Sequence, residues 1–129
     1  MNWTSLCRRA EAEVARIRAT LPPDLAPLAA DVPIVCLRRP TREMRADGIE
    51  PDLLGLFVGP SLQERGEEMD GGGAGDPLPA EILLFVENLW DYAEADPATF
   101  LEEVRITYLH ELGHYLGLDE SDLADRGLE

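Results

Sequence analysis

The sequence predicts an α+β fold, a small mixed β-sheet of about three strands packed with an N-terminal helix and a longer helix near the C-terminus. Three observations carry this. Apolar residues recur at helical spacing from Leu6 to Leu21. Three short apolar runs follow, each of strand length. A strong helix start at Asp96-Pro97 then opens a pattern that ends at Gly117.

The first helix has Thr4 as its expected N-cap. Leu6, Ala10, Val14, Ile17 and Leu21 share one face, and Pro22-Pro23 ends it. Leu25 to Ala30 is a short apolar connection with room for one helical turn. Val32 to Leu37 reads as a buried strand. A charged loop with a turn at Asp47-Gly48 leads to a second strand, Leu53 to Val58. Gly55 within that strand marks a bulge or a close approach of backbone. Residues 60–79, with Gly71, Gly72, Gly73 and Gly75 among acids and prolines, read as a flexible loop. No Lys and no following helix accompany those glycines, so they are not a phosphate-binding loop.

Ile82 to Val86 is the third strand, and Asn88 to Tyr92 a helical turn or loop. Asp96 caps the next helix, Pro97 takes its first position, and the helix runs to about Leu116. Phe100, Val104, Tyr108 and Leu112 form its sheet-facing side. Trp3 and Trp90 are expected as core anchors. Ser121 to Arg126 forms one or two closing helical turns. There is no internal repeat, and residues 1–129 read as one domain.

Charge narrows the partners. The net charge is -15, and residues 59–129 carry all of it, with eighteen acidic residues against three Arg. Residues 1–58 balance eight Arg against eight acids. Such a chain repels phosphate backbones and anionic membranes, which argues against both as partners. It attracts metal ions and cationic peptides. All eleven basic residues are Arg. Cys7 and Cys36 form no CxxC pair and are expected as small buried residues in a reducing compartment. The first residues lack an apolar signal-peptide core, and the longest apolar run, Leu53 to Gly59, is too short to span a bilayer. A cytoplasmic location is the expectation.

The chemistry lies in HELGH at residues 110–114, which holds both histidines of the chain. His110 and His114 sit one helical turn apart on one face, with Cβ atoms about 6 Å apart. That spacing lets two imidazoles converge on one metal. Glu111 stands about 100° round the helix from His110. From there it reaches a metal-bound water as a general base without being a ligand. Gly117 turns the chain back, and Asp119, Glu120 and Asp122 follow at once. Catalytic zinc takes three protein ligands, so one of these acids is expected as the third. In an extended chain Asp119 and Glu120 point to opposite sides, so only one of them faces the metal. Asp122 is the third choice of ligand, and it also suits the first turn of the closing helix. Tyr108, Tyr115 and Arg105 receive no role from spacing alone.

HELGHYLGLDE, residues 110–120, resembles the zincin metallopeptidases. Its start is similar to the metzincins, which place their third zinc ligand at the position held here by Glu120. It departs from them in having Glu rather than His or Asp there, and no Met after Met69 to form a methionine turn. The wider order of LLGLF, a Gly/Pro-rich stretch, ILLF and the HELGH helix resembles the small bacterial metallopeptidases described as minimal zincins, over about residues 30–125. That resemblance implies zinc bound by His110, His114 and Glu120, with Glu111 as general base. It implies hydrolysis of peptide bonds. The strand at 82–86, if it is a sheet edge, would pair with an extended peptide, and the 60–79 loop would act as a lid. A non-catalytic metal-binding or regulatory protein on the same fold is the alternative, and Glu111 separates the two, because a purely structural site needs no carboxylate there.

Overall fold

The computed structural model describes residues 1–70 and 79–128. Helix α1 (Trp3–Thr20) buries the apolar face that the spacing picks out, Leu6, Ala10, Val14 and Ile17. It starts earlier than expected: the Asn2 side chain, not Thr4, caps it by accepting from the Ser5 N–H at 2.9 Å. Helix α2 (Ala26–Ala30) is the single turn after the proline pair. Strand β1 (Ile34–Leu37) follows, then a short helix α3 (Arg42–Ala46) inside the charged connection, capped by Thr41. Strand β2 (Gly55–Val58) is next.

The flexible loop expected over 60–79 is corrected in its first part. Helix α4 (Leu62–Asp70) occupies it, and Arg65 donates to the buried Tyr115 hydroxyl at 2.9 Å. The Ser61 Oγ accepts from the Glu64 N–H, an N-terminal signature hidden by the polar composition. The Gly-rich residues 71–78 lie outside the described residues.

Strand β3 (Glu81–Phe85) pairs parallel with β1, Ile34 opposite Ile82, and antiparallel with β2, Gly55 opposite Leu84. The sheet order is β1-β3-β2, so the condition for peptide pairing on the third strand, an edge position, is not met. β3 is the central strand, with no free edge to offer a peptide. The reason is burial: Ile82, Leu84 and Phe85 are fully covered and Leu83 nearly so. A run apolar on both faces belongs in the middle of a sheet.

Helix α5 (Val86–Tyr92) leaves β3 without a loop. Glu94 and Ala95 then take left-handed backbone angles, φ 54° and 59°, to reverse the chain. Helix α6 (Pro97–Leu116) is capped as its sequence dictates: Asp96 accepts from the Thr99 N–H at 2.9 Å, and Gly117 ends it at φ 74°. Helix α7 (Glu120–Asp125) closes the chain. The architecture is a three-stranded mixed sheet with helices packed on it, an α+β fold. No helix among the described residues is long and apolar enough to cross a membrane.

The core runs between α1, α6 and the sheet. Phe100, Val104, Tyr108 and Leu112 of α6 are all buried in it, as the spacing requires. The hydroxyl of Tyr108 accepts from Arg18 Nε at 3.0 Å, which ties α6 to α1. Trp90 meets Phe100 edge to face at 5.8 Å between centroids. Cys7 and Cys36 are half-buried rather than buried and stand against each other, and burial pushes the Cys36 thiol up to about 12.

Two contacts fix β2, one to α5 at its entry and one to α6 near the histidines. Asn88, 4% exposed, donates from its amide nitrogen to the carbonyls of Pro51 at 2.8 Å and Leu53 at 2.9 Å, and accepts from Arg39 at 2.7 Å. It pins the segment that enters β2. At Gly55 a Cβ would stand 2.5 Å from the Thr107 Cγ2 of α6 and 3.1 Å from the Leu83 carbonyl oxygen. Only a residue without a side chain lets β2 come this near the helix.

Asn88→Ala removes the donor to both carbonyls and is expected to cost about 1–3 kcal/mol in urea unfolding. Gly55→Ala forces the crowded Thr107 methyl or the helix to move, at an expected cost of about 1–3 kcal/mol. Adding Thr107→Ser deletes the clashing methyl and should recover part of that loss. A double-mutant cycle with no positive coupling would show that the contact does not hold β2 and α6 together.

Candidate metal centre

The two caps of α6 set where its last turns fall, and those turns carry HELGH. His110 and His114 project from the helix face left open to solvent, with side chains 48% and 55% exposed. Their Nε2 atoms face each other at 3.2 Å, with the rings edge to face. Two nitrogens bound at about 2.0–2.1 Å to one tetrahedral zinc stand about 3.3 Å apart. The donor pair therefore already has the separation such an ion requires.

Glu111 occupies a different environment. It is 8% exposed, beneath the crossing of β2, and its Cγ lies 3.7 Å from the place a Gly55 Cβ would take. Its Oε2 comes within 3.8 Å of His114 Nε2. One potential donor atom from each of His110, Glu111 and His114 falls within 4.8 Å of the others, a grouping able to hold a metal ion. The carboxylate is buried while the two imidazoles beside it are exposed.

Three acids follow the helix, and the structure separates them. Gly117 and the bare Gly113 together fold the chain back: a Cβ on Gly113 would meet the Leu118 carbonyl oxygen at 2.8 Å and Leu123 Cδ1 at 3.3 Å. The Leu118 N–H bonds the Gly113 carbonyl at 2.9 Å, and Leu123 is buried in the angle. Asp119 is then the N-cap of α7. Its carboxylate accepts from the Asp122 N–H at 2.8 Å, and the Asp122 carboxylate accepts from the Asp119 N–H at 3.0 Å. Both are held by this reciprocal capping, as the expectation for Asp122 had it. Glu120 alone of the three stands at a histidine, its Oε1 3.4 Å from His110 Nδ1. That is the ring nitrogen opposite the one facing His114. Glu120 is 85% exposed, so its side chain is free to swing about its own bonds.

Tyr108 and Tyr115 are buried, their hydroxyls taken by Arg18 and Arg65. They support the helix and do not face the site. The sequence pointed to a close approach at Gly55 but not to its partner. Gly113 passed unread, because the fourth residue of HELGH is free in the motif and its crowding comes from residues 118–123, seen only in the fold.

The acidic surroundings and the donor set of two imidazoles and a carboxylate suit a divalent ion. No curated protein matches the chain. A family model, described as zincin-like metallopeptidase, matches residues 29–128, nearly the span over which the sequence resembles minimal zincins. With that match covering most of its length and the histidine pair set as a metal requires, the chain belongs to the zincin-like metallopeptidase family.

Proposed function

We propose that the protein is a zinc-dependent peptidase. The observation that carries this is the pairing of two Nε2 atoms 3.2 Å apart with a buried glutamate behind them. In this reading His110 and His114 hold the ion and Glu120 turns in as the third ligand. A zinc ion held by these residues would supply Lewis-acid chemistry, polarising a substrate carbonyl and lowering the pKa of a water toward about 7. Glu111 would accept the proton of an attacking water at its carboxylate and pass it to the departing amine nitrogen as the C–N bond breaks. The close crossing at Gly55 holds the carboxylate in place for both transfers. The acidic half of the chain draws cationic peptides toward the site.

The non-catalytic alternative finds less support, because a site that only bound metal would not need a carboxylate buried at Glu111. Glu111→Gln is expected to keep about one zinc per chain from the single site. It should lose hydrolysis by about 10²–10⁴-fold against a mixed peptide library. His114→Ala should lose most of the zinc by elemental analysis. Equal cleavage by wild type and Glu111→Gln defeats the mechanism, and undiminished zinc in His114→Ala defeats the site.

The third ligand is tested by two substitutions that preserve shape. Asp119→Asn keeps a good N-cap, so its effect on zinc affinity reads the carboxylate alone and should be small. Glu120→Gln should release zinc readily, because the amide is a poor ligand. If Glu120→Gln keeps its zinc while Glu120→Ala loses it, Glu120 acts by accepting a hydrogen bond from His110 Nδ1 and not as a ligand.

A further inference from the structure

Cys7 lies in the second turn of α1 and Cys36 in β1. Helical period places Trp3 and Cys7 on one face of α1, and strand period places Cys36 and Arg38 on one side of the extended chain. The two faces meet rung by rung. The Arg38 guanidinium stands over the Trp3 ring, 5.4 Å from its centroid, and the Cys7 and Cys36 thiols are hydrogen-bonded to each other. Both thiols are free and half-buried against the core. Neither belongs to the candidate metal centre.

The pair sits at one end of a row across the sheet. Cys36 is opposite Leu84 of β3, and Leu84 is opposite Gly55 of β2, so the row ends at the crossing that covers Glu111. The surroundings divide the two thiols. Burial pushes both up, Cys36 to about 12. At Cys7 the bond from Cys36 and the charge of Arg38 act against that rise, while Glu11 adds to it. The anion therefore forms more readily on Cys7, and the thiolate is the form that attacks.

We propose that Cys7 and Cys36 are a redox site, a dithiol that closes to a disulfide on exchange with a small-molecule disulfide and so staples α1 to the sheet. The Cys7 thiolate attacks one sulfur of the small disulfide, whose S–S bond breaks, and one small thiolate leaves. With Cys7 in the mixed disulfide, its charge no longer opposes ionisation of Cys36. Cys36 gives its proton to solvent, and its thiolate attacks the Cys7 sulfur and displaces the second small thiolate. Both cysteines are oxidised and the small disulfide is reduced to two thiols, which take up the two protons that the cysteines lose. The pair is open under reducing conditions and closes as the ratio of oxidised to reduced small thiol rises. The loop it closes holds most of α1 and all of α2, and closing such a loop restricts the unfolded chain. The site depends on neither the metal nor the peptidase reading.

The test titrates the full chain, folded and in urea, with glutathione buffers of rising oxidised-to-reduced ratio, and reads the products by non-reducing peptide mass mapping. In the folded protein Cys7 and Cys36 should be joined within one chain, with an equilibrium constant about 10–1,000-fold more favourable than in the unfolded chain. The closed form should unfold at a higher urea concentration, and dithiothreitol should reverse that shift. Cys36→Ser should stop at glutathione bound to Cys7, and Cys7→Ser should take up glutathione more slowly. The wild-type titration needs neither variant to fold. A bond no easier to close in the folded chain, glutathione retained on the wild-type cysteines, linkage between chains, or a lower urea midpoint on closure overturns the staple. Uptake by Cys7→Ser as fast as by Cys36→Ser overturns Cys7 as the attacking sulfur.

Discussion

The arrangement of the site depends on how closely α6 is approached by its neighbours. On one side β2 crosses at Gly55, so near that any Cβ would strike Thr107. On the other, the returning chain passes Gly113 so near that a Cβ would strike the Leu118 carbonyl oxygen. The first contact covers Glu111 and forms the floor of an apolar hollow beside the histidines. The second brings Glu120 to His110. A protein interior transmits small displacements because it is close-packed. A methyl group at either glycine therefore acts on the side chains of the candidate metal site, although neither glycine belongs to it.

A second layer of contacts keeps those approaches from drifting. Asn88 fixes the entry to β2 through two carbonyls, and Tyr108 and Tyr115 lock α6 to α1 and α4 through arginines. These polar groups are buried or half-buried, and each is paired. A buried polar group left without a partner is costly, so these pairings tolerate few alternative arrangements. The arginines of the chain in part serve this end: Arg18, Arg39 and Arg65 each hold a side chain of the inner structure.

Charge and shape carry different information. The acidic excess of residues 59–129 acts at long range and selects by sign alone. The leucine-lined hollow beside the histidines can act only on contact, by size and polarity. The composition of the chain reveals the first and hides the second. The leucines that line the hollow come from positions 53, 54, 109, 123 and 128, and nothing in their spacing unites them.

The chain order of α6 was legible in sequence because its signals are local. Asp96, Pro97 and Gly117 act on the backbone within a turn of where they stand, and the four-residue spacing of His110 and His114 becomes a distance as soon as the helix forms. The same holds for the buried face of α1. Helix α4 was missed because its sequence is polar and its anchor, Arg65 on Tyr115, lies fifty residues away. The sequence left open whether the third strand is an edge, and it lies at the centre, because strand order is settled by which faces bury most, not by sequence position. Asp119 and Glu120 are neighbours of like chemistry, and only the turn at Gly117 and the packing of Leu123 on Gly113 send one to cap a helix and the other to a histidine. Sequence alone picked out the groups expected to bind a metal and move a proton, since those expectations follow from residue type and helical period. The tertiary structure decided their burial, the side of the ring that Glu120 meets and the hollow beside them, because each depends on contacts between segments distant along the chain.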